Sequence, residues 1–202
     1  MIKAIKLRKI VIFVIIFCMI FAILYYKNFL FGNNISKNRS GEEILNDMEQ
    51  YNAEIKVTIT SNKTQNEYIM QQEVKDDYCM QEVKKGDSIE GVKIELNQNN
   101  LKISNTKLNL EKVYENYNNL LNHAMFLNSF VADYKDDAND SNCFEENGEL
   151  IFEVKLNNNQ NTYIKYKKLY VDSESGKPTK MEIKSHLKNE TICIIYNNIE
   201  IK

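Results

Sequence analysis

Apolar and polar residues take turns along most of the chain beyond residue 54. Ile55, Val57 and Ile59 alternate with Glu54, Lys56, Thr58 and Thr60, which predicts a strand with one wet and one dry face. SNKTQN (61–66) reads as a turn. Tyr68, Met70, Gln72 and Val74 then alternate with Glu67, Ile69, Gln71 and Glu73. Short runs at Tyr78–Val83, Val92–Leu96 and Leu101–Ser104 continue the pattern, and Leu150, Phe152, Val154 and Leu156 restart it. Polar residues at every second position imply an antiparallel sheet with one face toward solvent.

The clearest unit is Tyr163–Lys184, a strand, a tight turn and a second strand. Tyr163, Leu169 and Val171 share one face of the first arm; Ile164, Tyr166 and Tyr170 share the other. The same odd-numbered register puts Lys165 and Lys167 beside Tyr163, on a face expected to be wet. The turn DSESGKP holds Gly176, which tolerates positive φ, and Pro178, the chain's one proline. Met181, Ile183, Ser185 and Leu187 alternate with Lys180, Glu182, Lys184 and His186. Glu190–Lys202 closes the chain as a strand whose centre, Ile192–Tyr196, is apolar on both faces, so it belongs inside the sheet or under a helix.

Two stretches switch to helical spacing. Ser40-Gly41-Glu42-Glu43 is a capping-box pattern ahead of Ile44, Leu45, Met48 and Tyr51, predicting a helix over 41–51. Leu120, Ala124, Leu127, Val131 and Tyr134 recur at spacings of four and three, predicting a helical region over 108–131 whose stripe packs on the dry side of the sheet. DYKDDANDSN (133–142) reads as an acidic connector. The expected fold class is α+β, a curved antiparallel sheet packed around helices.

Ahead of this domain (40–202), residues 10–26 carry no charge and no strongly polar group. As a helix they span about 26 Å, enough for a hydrocarbon core. Lys3, Lys6, Arg8 and Lys9 mark residues 1–9 as cytoplasmic, so the domain is expected outside, on an uncleaved transmembrane signal anchor followed by a linker over 27–39. A cleaved signal peptide is the competing reading; the apolar run is slightly long for one, and no A-x-A-like site follows. Cys18 invites lipid attachment, but Ile15-Ile16-Phe17 lacks the small residue such a site uses.

Charge narrows the partners. All five basic residues up to Lys27 precede the first acid, Glu42, so the rest of the chain carries about −7. A nucleic-acid partner is disfavoured, because it needs a basic footprint. Beyond Cys18 there are three cysteines, Cys79, Cys143 and Cys193, which is no disulfide framework. Asp133, Asp136, Asp137 and Asp140 do not fit the calcium-loop spacing. His123 and His186 are the two histidines; His186 with Cys193 has no second pair to complete a metal site. No nucleotide, zinc-protease or nucleophile-elbow motif is present. The sequence proposes no reaction, no catalytic or metal-binding residue and no cofactor.

The order of elements, with Val171-Asp172, Ser175-Gly176, Pro178 and Lys180-Met181-Glu182-Ile183, resembles the lipoprotein-carrier (LolA-like) superfamily. Within it, Leu127-Asn128-Ser129-Phe130 with Asp133-Tyr134-Lys135, and Lys167-Lys168-Leu169-Tyr170-Val171-Asp172, resemble the clostridial spore-germination lipoprotein GerS family. The resemblance implies an incomplete β-barrel wrapped around helices. It implies a non-enzymatic partner that binds and activates a zinc-dependent N-acetylmuramoyl-L-alanine amidase, used to make cortex muramic-δ-lactam, and a place on the forespore membrane facing the cortex. The chain departs from that family at its start, where a membrane anchor stands in place of a lipobox. The alternative is a carrier for a lipid or lipopeptide, with Met70, Met125 and Phe126 lining an apolar cavity. For a protein partner, the contact is expected on exposed sheet edges and on the face of Tyr163, Lys165 and Lys167.

Overall fold

The computed structural model describes residues 40–97, 100–116, 124–136, 139–157, 163–185 and 190–202. The expected anchor over 10–26 and linker over 27–39, and His123 and His186, lie outside them. Among the described residues no helix is long and apolar enough to cross a membrane.

Helix α1 (Gly41–Asp47) starts at the expected capping box: Ser40 Oγ accepts from the Glu43 N–H, and the Glu43 carboxylate accepts from the Ser40 N–H. It is shorter than the 41–51 expected from spacing. Tyr51 instead opens a strand, because its backbone pairs with Ile201 on one side and Val74 on the other. Gly41 is needed for a close approach, since a Cβ there would meet the Phe152 ring at 3.0 Å.

Among the described residues eleven strands follow: β1 (Tyr51–Thr60), β2 (Gln65–Lys75), β3 (Tyr78–Lys85), β4 (Val92–Asn97), β5 (Asn100–Asn105), β6 (Leu110–Tyr114), β7 (Asp140–Glu146), β8 (Glu149–Lys155), β9 (Ile164–Asp172), β10 (Pro178–Ser185) and β11 (Thr191–Ile201). They make one open antiparallel sheet in the order β6-β5-β4-β3-β2-β1-β11-β10-β9-β8-β7. Every neighbour pair is a sequence neighbour except β1 and β11, which join the two meanders at the centre. The closing strand β11 is therefore internal, as its apolar centre requires. Ile194 and Tyr196 face the core, while Ile195 stays 42% exposed on the outer face.

Two expectations fail between β5 and β8. Leu110–Tyr114 is a strand, not part of a helix; its backbone pairs with β5 in register Leu101↔Tyr114. The second helix, α2, runs Leu127–Lys135, so Asp133-Tyr134-Lys135 belong to it rather than to a loop. Asp140–Glu146 likewise forms edge strand β7, because its backbone pairs with β8 from Asp140↔Lys155 to Glu146↔Glu149.

The sheet curls around α2. Asn128 reaches Cys79 on β3 at 3.5 Å, and the adjacent Ser129 reaches Lys167 on β9 at 3.0 Å. In a flat sheet β3 and β9 would stand five strand spacings apart, about 24 Å. Successive residues of one helix touch both only if the sheet bends over it. The core inside the bend is apolar: Leu45, Met48, Phe130, Phe152, Leu169, Val171 and Met181 are each fully buried.

Candidate functional site

The concave side holds two polar contacts, one cavity and the inner faces of the sheet's wings. The first contact docks the start of α2. Its N-cap, Phe126, offers no side-chain oxygen. The Tyr51 hydroxyl takes that role from β1: it accepts from the Leu127 N–H at 3.2 Å and donates to Gln72 Oε1 at 2.9 Å. Gln72 Nε2 in turn donates to Gln81 Oε1 at 2.9 Å and to the Met125 carbonyl at 3.2 Å. An orphan donor at a helix start must find an acceptor. Here it is reached 76 residues away in sequence. Burial pushes the Tyr51 phenol above its ordinary range, with the Leu127 N–H opposing, so the hydroxyl stays protonated.

The second contact corrects the sequence reading. Lys167 sits on the buried side of β9 with Leu169 and Val171 and is 1% exposed. Its ammonium lies 2.6 Å from Asp133 Oδ2 and donates to Ser129 Oγ at 3.0 Å. Burial pushes Lys167 below the ordinary lysine range, and the Asp133 carboxylate opposes that. At this separation the charged pair is the state we assign, since an ammonium without a counter-charge would not be tolerated there. Asp133 is thereby committed to Lys167 and not presented to a cation. Tyr163 is exposed, as expected, but Ile164 leaves the face expected of it. The register slips between Lys184↔Tyr166 and Ser185↔Ile164, leaving Lys165 as the extra residue of a bulge. Ile164 turns inward, at 7% exposure, and Tyr163, 52% exposed, lines a cavity beside it.

Beside the start of α2 lies a cavity of about 340 Å³ walled by Ile59, Ile94, Met125, Phe126, Ile183 and Ile192, with Gln81 among its lining groups. Met125 and Phe126 line it as expected; Met70, packed at 4% exposure, is core and not cavity wall. A more polar cavity of about 510 Å³ runs along β7, β8 and β9 beside Asp140, Asn142, Glu153, Lys155 and Tyr166.

Among the described residues the three cysteines are thiols: Cys79 is buried, with its thiol pushed up by desolvation, Cys193 is half-buried and Cys143 exposed. Among the described residues no group of three His, Cys, Asp or Glu side chains is placed to hold a metal. Among the described residues both ends of the sheet are open. Sequence reasoning missed β6 as an edge, because Leu110-Glu111-Lys112-Val113-Tyr114 carries no apolar–polar alternation to mark a strand.

No family model and no curated protein matches the sequence. Among solved structures, the chain is similar to a LolA superfamily protein from Nitrosomonas europaea (TM-score 0.44, 12% identity, 81% of this chain and 94% of that one). It is similar to a putative outer membrane lipoprotein-sorting protein domain from Vibrio parahaemolyticus (TM-score 0.46, 8% identity, 80% and 92%). It is also similar to a chain of the Clostridioides difficile CwlD amidase in complex with the GerS lipoprotein (TM-score 0.45, 19% identity, 83% and 96%).

Proposed function

We propose that this chain is a non-enzymatic, membrane-anchored spore germination protein. In this reading it binds a zinc-dependent N-acetylmuramoyl-L-alanine amidase and activates it for muramic-δ-lactam formation in the spore cortex. The observation that carries the reading is the meeting of the segments that resemble the GerS family. Leu127–Phe130 and Asp133–Lys135 lie on α2, Lys167–Asp172 lies on β9, and Lys167 joins them through Asp133 and Ser129. Segments scattered over more than forty residues thus touch in the fold, which supports reading them as parts of one architecture. Activation of this kind works by selective binding: the protein must prefer the enzyme's active or metal-loaded state, or it shifts nothing.

The test uses residues 34–202 with the same organism's spore amidase, measuring co-elution, zinc content of the enzyme and muropeptide release. A stable complex with raised activity supports the reading. No complex and no change in activity sinks it.

The cavity favours a second reading, carriage of a lipid or lipopeptide. Its volume lies at the small end of the range for ligand pockets, and its walls are mostly apolar, with Gln81, Ser185 and Glu190 among them. Organic extraction and mass spectrometry of the purified protein separate the two. A carrier yields a bound acyl chain, and an amidase activator comes out empty.

A further inference from the structure

The two ends of the sheet are built differently. An open edge offers unpaired N–H and C=O groups to any extended chain, and proteins blunt such edges with charge. β7 is blunted: Asp140, Glu145 and Glu146 are exposed along it, Phe144 is half-buried with the Lys168 ammonium 5.6 Å from its ring, and Cys143 is its one exposed apolar side chain. β6 is not blunted. All five of its residues are exposed, and Leu110 (61%), Val113 (48%) and Tyr114 (43%) are among the most exposed large apolar side chains of the described residues, with Leu108 (64%) just before them.

The inner face of β6 continues the core. Tyr51, Val74, Cys79, Leu96, Leu101 and Tyr114 lie opposite one another in a row across six strands. The first five are buried, and the row runs out into solvent at Tyr114. Leu110 and Lys112 share that inner face, by strand alternation. On the outer face Glu111 is already neutralised by Lys102 at 2.9 Å. Lys112 has the Tyr114 ring 5.7 Å from its ammonium, and among the described residues no carboxylate is paired with it. An added strand therefore meets, on the inner face, an apolar residue, an uncompensated cation and an aromatic ring. Cross-strand pairing favours apolar, acidic and apolar side chains opposite these.

We propose that β6 is the docking edge for a protein partner, which adds an extended segment of the pattern apolar-x-acidic-x-apolar beside Leu110, Lys112 and Tyr114. The proposal rests on the protein-binding reading above and names its surface. Main-chain hydrogen bonds supply affinity, and the alternate side chains supply specificity.

The experiment has two arms, both with the full chain in nanodiscs, comparing wild type with Leu110→Asp, Lys112→Glu and, on the other edge, Glu145→Lys. Circular dichroism and thermal unfolding establish that each variant is folded. In the first arm, amidase affinity falls about tenfold or more for Leu110→Asp and Lys112→Glu and is unchanged for Glu145→Lys. A complex that all three variants form equally well overturns the edge assignment and leaves the activator reading standing. The second arm needs no amidase: a random octapeptide library is selected on wild type and counter-selected on the Lys112→Glu variant. Enrichment of apolar-x-acidic-x-apolar sequences supports the edge even if no amidase complex forms, which is the outcome that sinks the activator reading alone. A library with no sequence preferring wild type overturns the proposal.

Discussion

Asp133 on α2 and Lys167 on β9 form an ion pair at 2.6 Å in which the lysine is 1% exposed and the aspartate side chain 30% exposed. The asymmetry predicts unequal mutants. Removing the aspartate strands a buried cation, a loss of about 3–5 kcal/mol; removing the lysine leaves a carboxylate that water can still reach. Asp133→Asn is therefore expected to destabilise the protein more than Lys167→Met, read from urea unfolding of both. Equal losses would show that the pair is not desolvated as described.

The same pair sets a pH dependence. Burial lowers Lys167 in the folded state, so between the folded and unfolded values the unfolded chain binds more protons, and stability rises with pH. Without Asp133 the lowering deepens. The stability gap between Asp133→Asn and wild type is expected to narrow as pH is raised from 7 toward the ordinary lysine range near 10.5. Urea midpoints at stepped pH check this, and a gap that widens with pH contradicts it.

Tyr51→Phe removes the acceptor of the Leu127 N–H and the donor to Gln72 while leaving the ring in place. Both groups are buried, so the expected loss is about 1–3 kcal/mol. Because the hydroxyl caps α2 and not β1, amide exchange at Leu127 and the residues after it should accelerate more than exchange along β1. Uniform acceleration would mean that the hydroxyl serves the whole core.

The turn that reverses β9 into β10 depends on two local features. Gly176 has φ +67°, and Asp172 Oδ1 accepts from the Ser175 N–H at 2.7 Å and its hydroxyl at 2.6 Å. Those bonds hold the Asp172 carboxyl below its ordinary range. Gly176→Ala has open space for its Cβ but a left-handed backbone, so a loss of about 1–2 kcal/mol is expected from backbone strain alone. Ser40→Ala at the α1 capping box is expected to cost about 1 kcal/mol. Thermal unfolding of the two single variants and the double variant checks both, and additive losses are expected because the sites share no partner.

What the sequence determined about this protein is the set of features that live within a few residues. The capping box at Ser40 and Glu43, the turn at Gly176, and the wet and dry faces of β1, β2, β8 and β10 follow from backbone geometry and side-chain alternation, which neighbouring residues suffice to encode. The curved antiparallel sheet also follows, since strands wet on one face must wrap their dry faces around something. The tertiary structure alone decided the rest. Lys167 reads as a surface residue among Tyr163, Lys165 and Lys168, and goes inside because the curl of the sheet brings Asp133 and Ser129 to it. α2 starts at Leu127 because a hydroxyl on β1 waits there, and the helical stripe before it gives no sign of that. Ile164 faces inward because a bulge at Lys165 shifts its register. β6 and β7 are strands because β5 and β8 offer them edges. Each of these is a contact between distant parts of the chain, and its energy exists only once the sheet has closed around the helix.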